Sequence, residues 1–257
     1  MRIAVLLKEV PDTYSDREMN LQTGLTDRSG DVVADEVSER AVEAALRIAE
    51  AGENVEVEIL SVGPESSADS VRRGIAMGAS EAYIVSDEAL TGADVTLTAE
   101  VLAKLVEKQG YDLVIAGAES SDGGTGVIAP FMAELLDWPV LTNLTELTLE
   151  GDTVRATQAS DAATAQLEAQ LPAVVSVADE FADPRFPNFK GLMAAKKKEL
   201  HAITLVELGV DPDDFTHPRA IMTSIERRPE RERGEIIDAS STAAARLVDF
   251  LESKNLI

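Results

Sequence analysis

The residues between positions 111 and 139 have the types and spacing that phosphate binding needs. A short apolar run, Leu113–Ala116, leads into a loop with four glycines, and behind it lies a helical stripe formed by Val127, Ile128, Phe131, Met132, Leu135 and Leu136. Glycine tolerates positive φ angles and lets the backbone approach a ligand closely. A buried strand, a glycine-rich turn and a helix together aim unpaired backbone N–H groups at an anion.

The spacing of these glycines leaves two interpretations open. It matches neither the GxGxxG pattern nor GxxxxGK[ST]. Glycine-rich turns between strands and helices also occur as tight connections without a ligand. The loop therefore predicts nucleotide binding in a cleft at the carboxyl ends of parallel strands, with a purely structural turn as the alternative.

Residues that could carry out catalysis are scarce. Cysteine is absent, and His201 and His217 are the only histidines, far apart in the polar carboxyl-terminal part of the chain. No GxSxG, HExxH or calcium-loop pattern occurs. We expect no catalytic residue and no metal site, which points to a carrier or binding subunit.

The charge of the chain excludes nucleic acid as a partner. There are 47 acidic residues against 23 basic ones, a net charge of −24, whereas nucleic-acid binding needs clustered lysine and arginine. The acidic residues are spread over the whole chain, as in proteins that stay soluble at high salt. We expect a salt-adapted cytoplasm; an ordinary acidic protein with a basic partner is the alternative.

The amino-terminal apolar run predicts a strand. It covers only Ile3–Leu7 before Lys8, which is too short for a signal peptide or a membrane span. We therefore expect a cytoplasmic protein without membrane insertion.

Strands alternate with helices over the first two-thirds of the chain. Strand-like runs occur at Ile3–Leu7, Val55–Val62, Ala82–Val85, Leu113–Ala116 and Ala173–Val177. Helices are predicted at about Glu39–Glu50, with Ser38 as its cap, and at Asp94–Gln109. The alternation predicts an α/β fold with a doubly wound, Rossmann-like parallel sheet.

The last part of the chain has a different character. We expect residues 1–200 to form the nucleotide-binding domain and residues 201–257 to form a carboxyl-terminal arm, which ends in a helix at Ser240–Ser253. An extended polar arm cannot build a core alone, so it should pack on a partner chain.

Several segments, in this order and spacing, resemble one family over roughly residues 1–200. Lys8-Glu9-Val10-Pro11-Asp12 follows the first strand, RRGIAMGASEAYIV follows at Arg72–Val85, and the glycine loop leads into LLDWP. LPAVVSV and DPRFPNFKGLMAAKKK complete the series. The chain is similar to the β subunit of electron transfer flavoprotein.

This resemblance implies a heterodimer with an α subunit, an FAD shared with that subunit, and a buried AMP in the β subunit. Electrons would pass from acyl-CoA or other flavin dehydrogenases to a quinone oxidoreductase or a ferredoxin. The implied nucleotide-binding residues are Leu6, Lys8, Asp35, Glu36, Val37, Ser38, Val62, Gly117, Ala118, Glu119, Ser120, Ser121, Asp122, Gly123, Gly124, Thr125 and Gly126.

The resemblance also implies a recognition loop at residues 183–193 that docks onto partner dehydrogenases. Its docking residues would be Arg185, Phe186, Phe189 and Met193, with Phe189 as the apolar anchor. A Phe189 side chain folded onto the core is the alternative.

Two other functions stay open. An electron-bifurcating form would carry a second, NADH-reducible FAD in place of AMP, and the loop sequence SDGGTG does not decide between the two nucleotides. A stand-alone nucleotide-binding protein of similar fold is the third possibility, although it would need neither the arm nor the DPRFPNF loop.

Overall fold

A nine-stranded sheet organises the first of two units. The computed structural model describes residues 1–15, 17–231 and 233–257, and these residues divide into Met1–Thr223 and Ser224–Ile257. The strands are β1 (Arg2–Leu6), β2 (Glu9–Pro11), β3 (Val32–Ala34), β4 (Glu56–Val62), β5 (Glu81–Val85), β6 (Leu113–Gly117), β7 (Val140–Glu150), β8 (Thr153–Ala159), β9 (Thr164–Gln170), β10 (Ala173–Val177) and β11 (His201–Ile203).

The order of the strands is β11-β5-β4-β1-β6-β10-β7-β8-β9, and β2 pairs with β3 in a separate antiparallel ribbon. The strands from β11 to β7 run parallel, with β1 pairing with both β4 and β6. From β1 the chain winds first towards β4 and β5, and later in the opposite direction through β6. The crevice outside the carboxyl ends of β1 and β6 is therefore the place where a doubly wound sheet binds its ligand.

Helices cover both faces of this sheet. They are α1 (Glu36–Ala51), α2 (Ala68–Met77), α3 (Val95–Gln109), α4 (Ile128–Leu136), α5 (Phe189–Lys197) and α6 (Leu205–Leu208), and the second unit holds α7 (Ala243–Ser253). Successive residues of β1 serve opposite cores, as period-two alternation requires. Ile3 and Val5 pack with α1 and α2, whereas Ala4 and Leu6 pack with α3 and α4.

The predicted α/β doubly wound fold is confirmed, and further strands extend the sheet at both of its edges. The strands β8 and β9 extend the sheet in antiparallel fashion, so the sheet is mixed. The strand β11 joins the opposite edge of the sheet, and α6 packs on α3. The first compact unit thus continues to Thr223, beyond the boundary expected at residue 200.

One local prediction was wrong. Ser38 does not cap the first helix, because α1 begins three residues earlier behind Asp35, whose side chain accepts the Ser38 amide. The stripe predicted on α4 is only partly buried: Met132 and Leu136 are in the core, but Phe131 and Leu135 are exposed. No helix in the described ranges has both the length and the apolar character that crossing a bilayer requires.

Candidate nucleotide site

The predicted site residues converge at the carboxyl ends of β1 and β6. Lys8 follows β1 by two residues, Asp35 precedes α1, and the glycine loop follows β6. Parallel pairing of β1 with β6 brings Lys8 and the glycine loop, which are more than one hundred residues apart in sequence, to the same end of the sheet. The convergence gives the crevice its polar groups.

Asp35 ties the helix to the loop. This carboxylate is buried, and its Oδ2 accepts hydrogen bonds from the backbone amide of Ser38 at 3.1 Å and from the Ser38 hydroxyl at 3.3 Å. Its Oδ1 accepts the backbone amide of Ser121 at 2.9 Å. Because helix geometry leaves the amides of Glu36 and Val37 without intrahelical acceptors, the first turn of α1 still has donors for an anion.

Gly117 permits close contact between β6 and α1. A Cβ atom at this position would lie 3.0 Å from the carbonyl carbon of Val37 and 3.1 Å from the backbone nitrogen of Ser38. Both atoms belong to the backbone and cannot swing aside. A glycine is therefore required for the strand to enter the loop directly beside the helix N-terminus.

Asp122 binds two cations. Its side chain is only 4% exposed; Oδ1 lies 2.7 Å from the Lys8 ammonium and Oδ2 lies 2.7 Å from the guanidinium of Arg28. Burial alone would raise the pKa of this carboxyl, but the hydrogen bond and charge of Lys8 outweigh burial, so the pKa of Asp122 lies below its usual range. Lys8 also donates to the hydroxyl of Ser120 at 3.2 Å.

The remaining predicted residues line or support this edge. Leu6 is buried at the end of β1, and Val62 is half-buried at the end of β4. Two loop glycines adopt left-handed conformations, Gly124 with φ +59° and Gly126 with φ +64°, which explains glycine at both positions. Glu36 and the loop residues Glu119, Gly123 and Thr125 are exposed, whereas Ala118 is half-buried.

Comparison with known proteins shows the family of this chain. Residues 23–208 match the electron transfer flavoprotein domain. The electron transfer flavoprotein β subunit of Mycobacterium tuberculosis is 39% identical over 99% of both chains. That of Thermoanaerobacterium thermosaccharolyticum is 33% identical over the full length of both. This chain belongs to the electron transfer flavoprotein β-subunit family. A further relative, 30% identical over both full lengths, is subunit CarD of the caffeyl-CoA reductase–Etf complex of Acetobacterium woodii.

The role of this family is electron transfer. The sequence patterns did not predict two basic residues that lie at the site. Arg28 contacts Asp122, and the guanidinium of Arg17 donates to the carbonyl of Ser121. Both lie in the segment between β2 and β3, whereas their partners follow β6. No local pattern in the sequence links these arginines to the loop after β6.

The segment at residues 183–193, predicted to be a recognition loop, exposes its aromatic side chains. Phe186 is 90% exposed and Phe189 is 79% exposed, and Met193 is also exposed. Asn188 caps α5 by accepting the amide of Gly191 at 2.8 Å, so Phe189 occupies the first position of a defined helix. The alternative of Phe189 folded onto the core does not describe this structure.

Arg185 anchors this loop onto α1. Its Nε lies 2.7 Å from Glu43 Oε2, and its Nη1 lies 2.5 Å from Glu50 Oε1. The hydrogen bonds that Arg185 donates to the carboxylates of Glu50 and Glu43 raise the pKa of Arg185. The guanidinium thus holds the loop in place while the neighbouring aromatic residues point away from the core.

A separate cleft lies at the other end of the β-subunit sheet, away from the carboxyl ends of its parallel strands. It has a volume of about 490 Å³ and lies at the amino ends of the strands, between Met1, Val55, Asp112, Asp152 and Pro172. None of the predicted nucleotide-binding residues lines it. The nucleotide site therefore stays a prediction, which rests on backbone donors and converging charges and not on cavity size.

Proposed function

We propose that this β subunit forms a conventional electron-carrying heterodimer with an α subunit, buries one AMP, and helps to complete the FAD site of the complex. Acyl-CoA or other flavin dehydrogenases donate the electrons, and a quinone oxidoreductase accepts them. The β chain itself provides architecture, nucleotide binding and docking. Bound FAD supplies the one- and two-electron chemistry that protein side chains lack.

The observation that carries the nucleotide assignment is the arrangement of donors around the loop after β6. The hydroxyl oxygen of Ser121 is buried and has no hydrogen-bond partner among the described residues. A buried hydroxyl without a partner costs free energy, which a polar ligand would offset. Lys8 supplies a cation at the same loop, and Gly117 allows the backbone to approach a ligand. These residues fit an adenine mononucleotide.

Each residue has a distinct part in this proposal. The first-turn amides of α1 and the amides of the glycine loop donate to phosphate, which lets an acidic chain bind an anion. Lys8 adds the positive charge, and Asp35 fixes the distance between the two sets of amides. Leu6 and Val62, at the ends of β1 and β4, are placed to contact the adenosine part.

Two arginine contacts at the glycine loop favour AMP over a second FAD. Arg17 and Arg28 both reach across to the glycine loop, so a dinucleotide that extends out of the cleft would have to displace them. The bifurcating form, with a second FAD that accepts a hydride from NADH, is the second candidate. The SDGGTG loop is compatible with either nucleotide.

Anaerobic titration of the purified heterodimer with NADH separates the two candidates. A conventional carrier keeps its oxidised flavin absorbance with NADH alone and loses it when an acyl-CoA and its dehydrogenase are added. Bleaching of flavin by NADH alone would establish the bifurcating form instead.

We also propose a cytoplasm of high salt concentration as the setting of this protein. Self-repulsion among the acidic residues that give the net charge of −24 is screened by salt, so the folded heterodimer should lose stability at low ionic strength. Thermal unfolding from 0.1 M to 3 M KCl tests this directly. A transition temperature that does not change with salt would contradict the proposal.

A further inference from the structure

The segment between β2 and β3 contacts the glycine loop of the proposed nucleotide site through two arginines. Residues 17–31, here called the cover segment, form a short excursion in which Met19 and Thr26 pair in an antiparallel bridge. The amide of Asp27 donates to the carbonyl of Glu18 at 2.9 Å, and that of Asn20 donates to Leu25 at 2.9 Å. The segment therefore has local order of its own.

The contacts of the cover segment with the cleft are made by arginine. Arg28 uses one terminal nitrogen to donate to the carbonyl of Glu9 at 2.8 Å and the other to bind Asp122 at 2.7 Å. Arg17 donates to the carbonyl of Ser121. The guanidinium of Arg28 thus joins three parts of the chain: the cover segment, the residue that opens β2, and the glycine loop.

Asp122 is the buried residue to which Arg28 of the cover segment binds. Its carboxylate is nearly inaccessible, and its two oxygens are divided between Lys8, which follows β1, and Arg28. Charged hydrogen bonds at this distance are stronger than neutral ones, and exclusion of water strengthens them further. These contacts therefore hold the cover segment against the glycine loop, which contains the buried hydroxyl of Ser121.

We propose that Arg28 is a nucleotide-retaining residue, which closes the cover segment over the bound adenine nucleotide by bridging Glu9 and Asp122. This inference rests on the proposed function, since it needs a nucleotide in the cleft. Arg28 acts through Asp122 and the loop, so it positions the cover segment and does not have to touch the ligand. Release of the nucleotide then requires the bridge to open.

The test uses the intact heterodimer and the variant Arg28→Met, which keeps much of the side-chain length but removes both donors. Radiolabelled AMP bound to the complex is chased with unlabelled AMP, and its dissociation rate is measured. Loss of a charged hydrogen bond should speed release by about 10- to 100-fold. Arg155→Met is the matched control, because Arg155 pairs with exposed Glu150 and Glu168 on the β8–β9 side of the sheet. It should leave the rate unchanged.

Arg28→Lys provides a second test that does not depend on the first variant folding. A lysine has one charged group and cannot keep the two-pronged contact with Glu9 and Asp122. We expect faster release than in the wild type, with the α-associated FAD still bound. Equal dissociation rates for wild type and both Arg28 variants would overturn the inference. A wild-type complex that contains no nucleotide besides FAD would instead overturn the proposed function.

Discussion

Ser121 donates its backbone amide to Oδ1 of Asp35 at 2.9 Å, across 86 positions of sequence. The other oxygen of the same carboxylate caps α1 through the amide of Ser38. One buried side chain therefore sets the position of the glycine loop relative to the helix N-terminus, and both elements supply donors to the proposed nucleotide site.

Asp35→Ala should weaken both stability and nucleotide binding. Loss of a helix cap costs about 0.5–2 kcal/mol, and the freed Ser121 amide adds to this cost. Asp94→Ala is the matched control, because Asp94 caps α3 by accepting the amide of Leu97 at 2.9 Å. Both variants should unfold at lower temperature, but only Asp35→Ala should lose AMP on gel filtration. Full AMP content in Asp35→Ala would contradict the role of Asp35 in the cleft.

Gly117→Ala should separate the glycine loop from α1. The added methyl group would lie 3.0 Å from the backbone of Val37, so strand or helix must shift, at a cost of about 1–3 kcal/mol. Gly234→Ala serves as the control, since a Cβ there meets nothing within 4 Å. Chemical denaturation and nucleotide content of the two heterodimers would be compared. Equal behaviour of both variants would show that the strand–helix contact is looser than the structure indicates.

The lowered pKa of Asp122 predicts a pH dependence with a defined sign. Because the folded pKa lies below the ordinary value of about 3.9, the ionised carboxylate stabilises the fold above that pH. The contribution is lost as the pH falls through the folded pKa. Asp122→Asn should therefore be less stable than wild type at pH 7, by about 1–3 kcal/mol, with the difference shrinking below about pH 4.

The control for this experiment is Glu107→Gln, which removes an exposed carboxylate paired with Lys104. Exposed pairs of this kind contribute about 0–1 kcal/mol, so its unfolding curve should follow that of wild type at every pH. A constant difference between wild type and Asp122→Asn across the whole pH range would rule out titration of Asp122 as the cause.

Phe189→Ala should slow electron delivery without changing the fold. An exposed aromatic side chain that anchors an interface contributes about 2 kcal/mol or more to the free energy of binding. At a low concentration of the heterodimer, its reduction by an acyl-CoA dehydrogenase should therefore slow by about 10- to 100-fold. Val206, 88% exposed on α6, gives the control Val206→Ala. If both variants were reduced at the wild-type rate, residues 183–193 would not be the docking surface.

Local sequence patterns predicted the parallel part of the sheet because its strands are short, continuous apolar runs. Ala173–Val177 is confirmed at both ends, and the helix predicted at Asp94–Gln109 begins one residue after its cap, Asp94. The strand β9 was missed because Ala, Gln and Glu favour strands little, although TAQLEAQ alternates polar and apolar residues. At the start of α1, Ser38 was predicted as the cap, but Asp35 caps the helix, and the same carboxylate accepts the amide of Ser121 from a distant part of the chain.

The sequence predicted those residues of the site that follow the ends of strands. Lys8, Asp35 and the glycine loop meet because parallel strands bring their carboxyl ends to one edge. Arg28 escaped prediction because its partner Asp122 lies 94 positions away, in a segment that only the fold brings near. No local pattern of charge or hydrophobicity encodes such a pair.

The content of nucleotides in the purified heterodimer tests the central proposal most directly. The complex would be expressed with its α subunit, purified at high salt, denatured, and its released nucleotides quantified by mass spectrometry. A conventional carrier with an adenine mononucleotide in the β-subunit cleft yields one FAD and one AMP per heterodimer. Two FAD and no AMP would contradict this account and place a second redox centre beside Lys8 and Asp122.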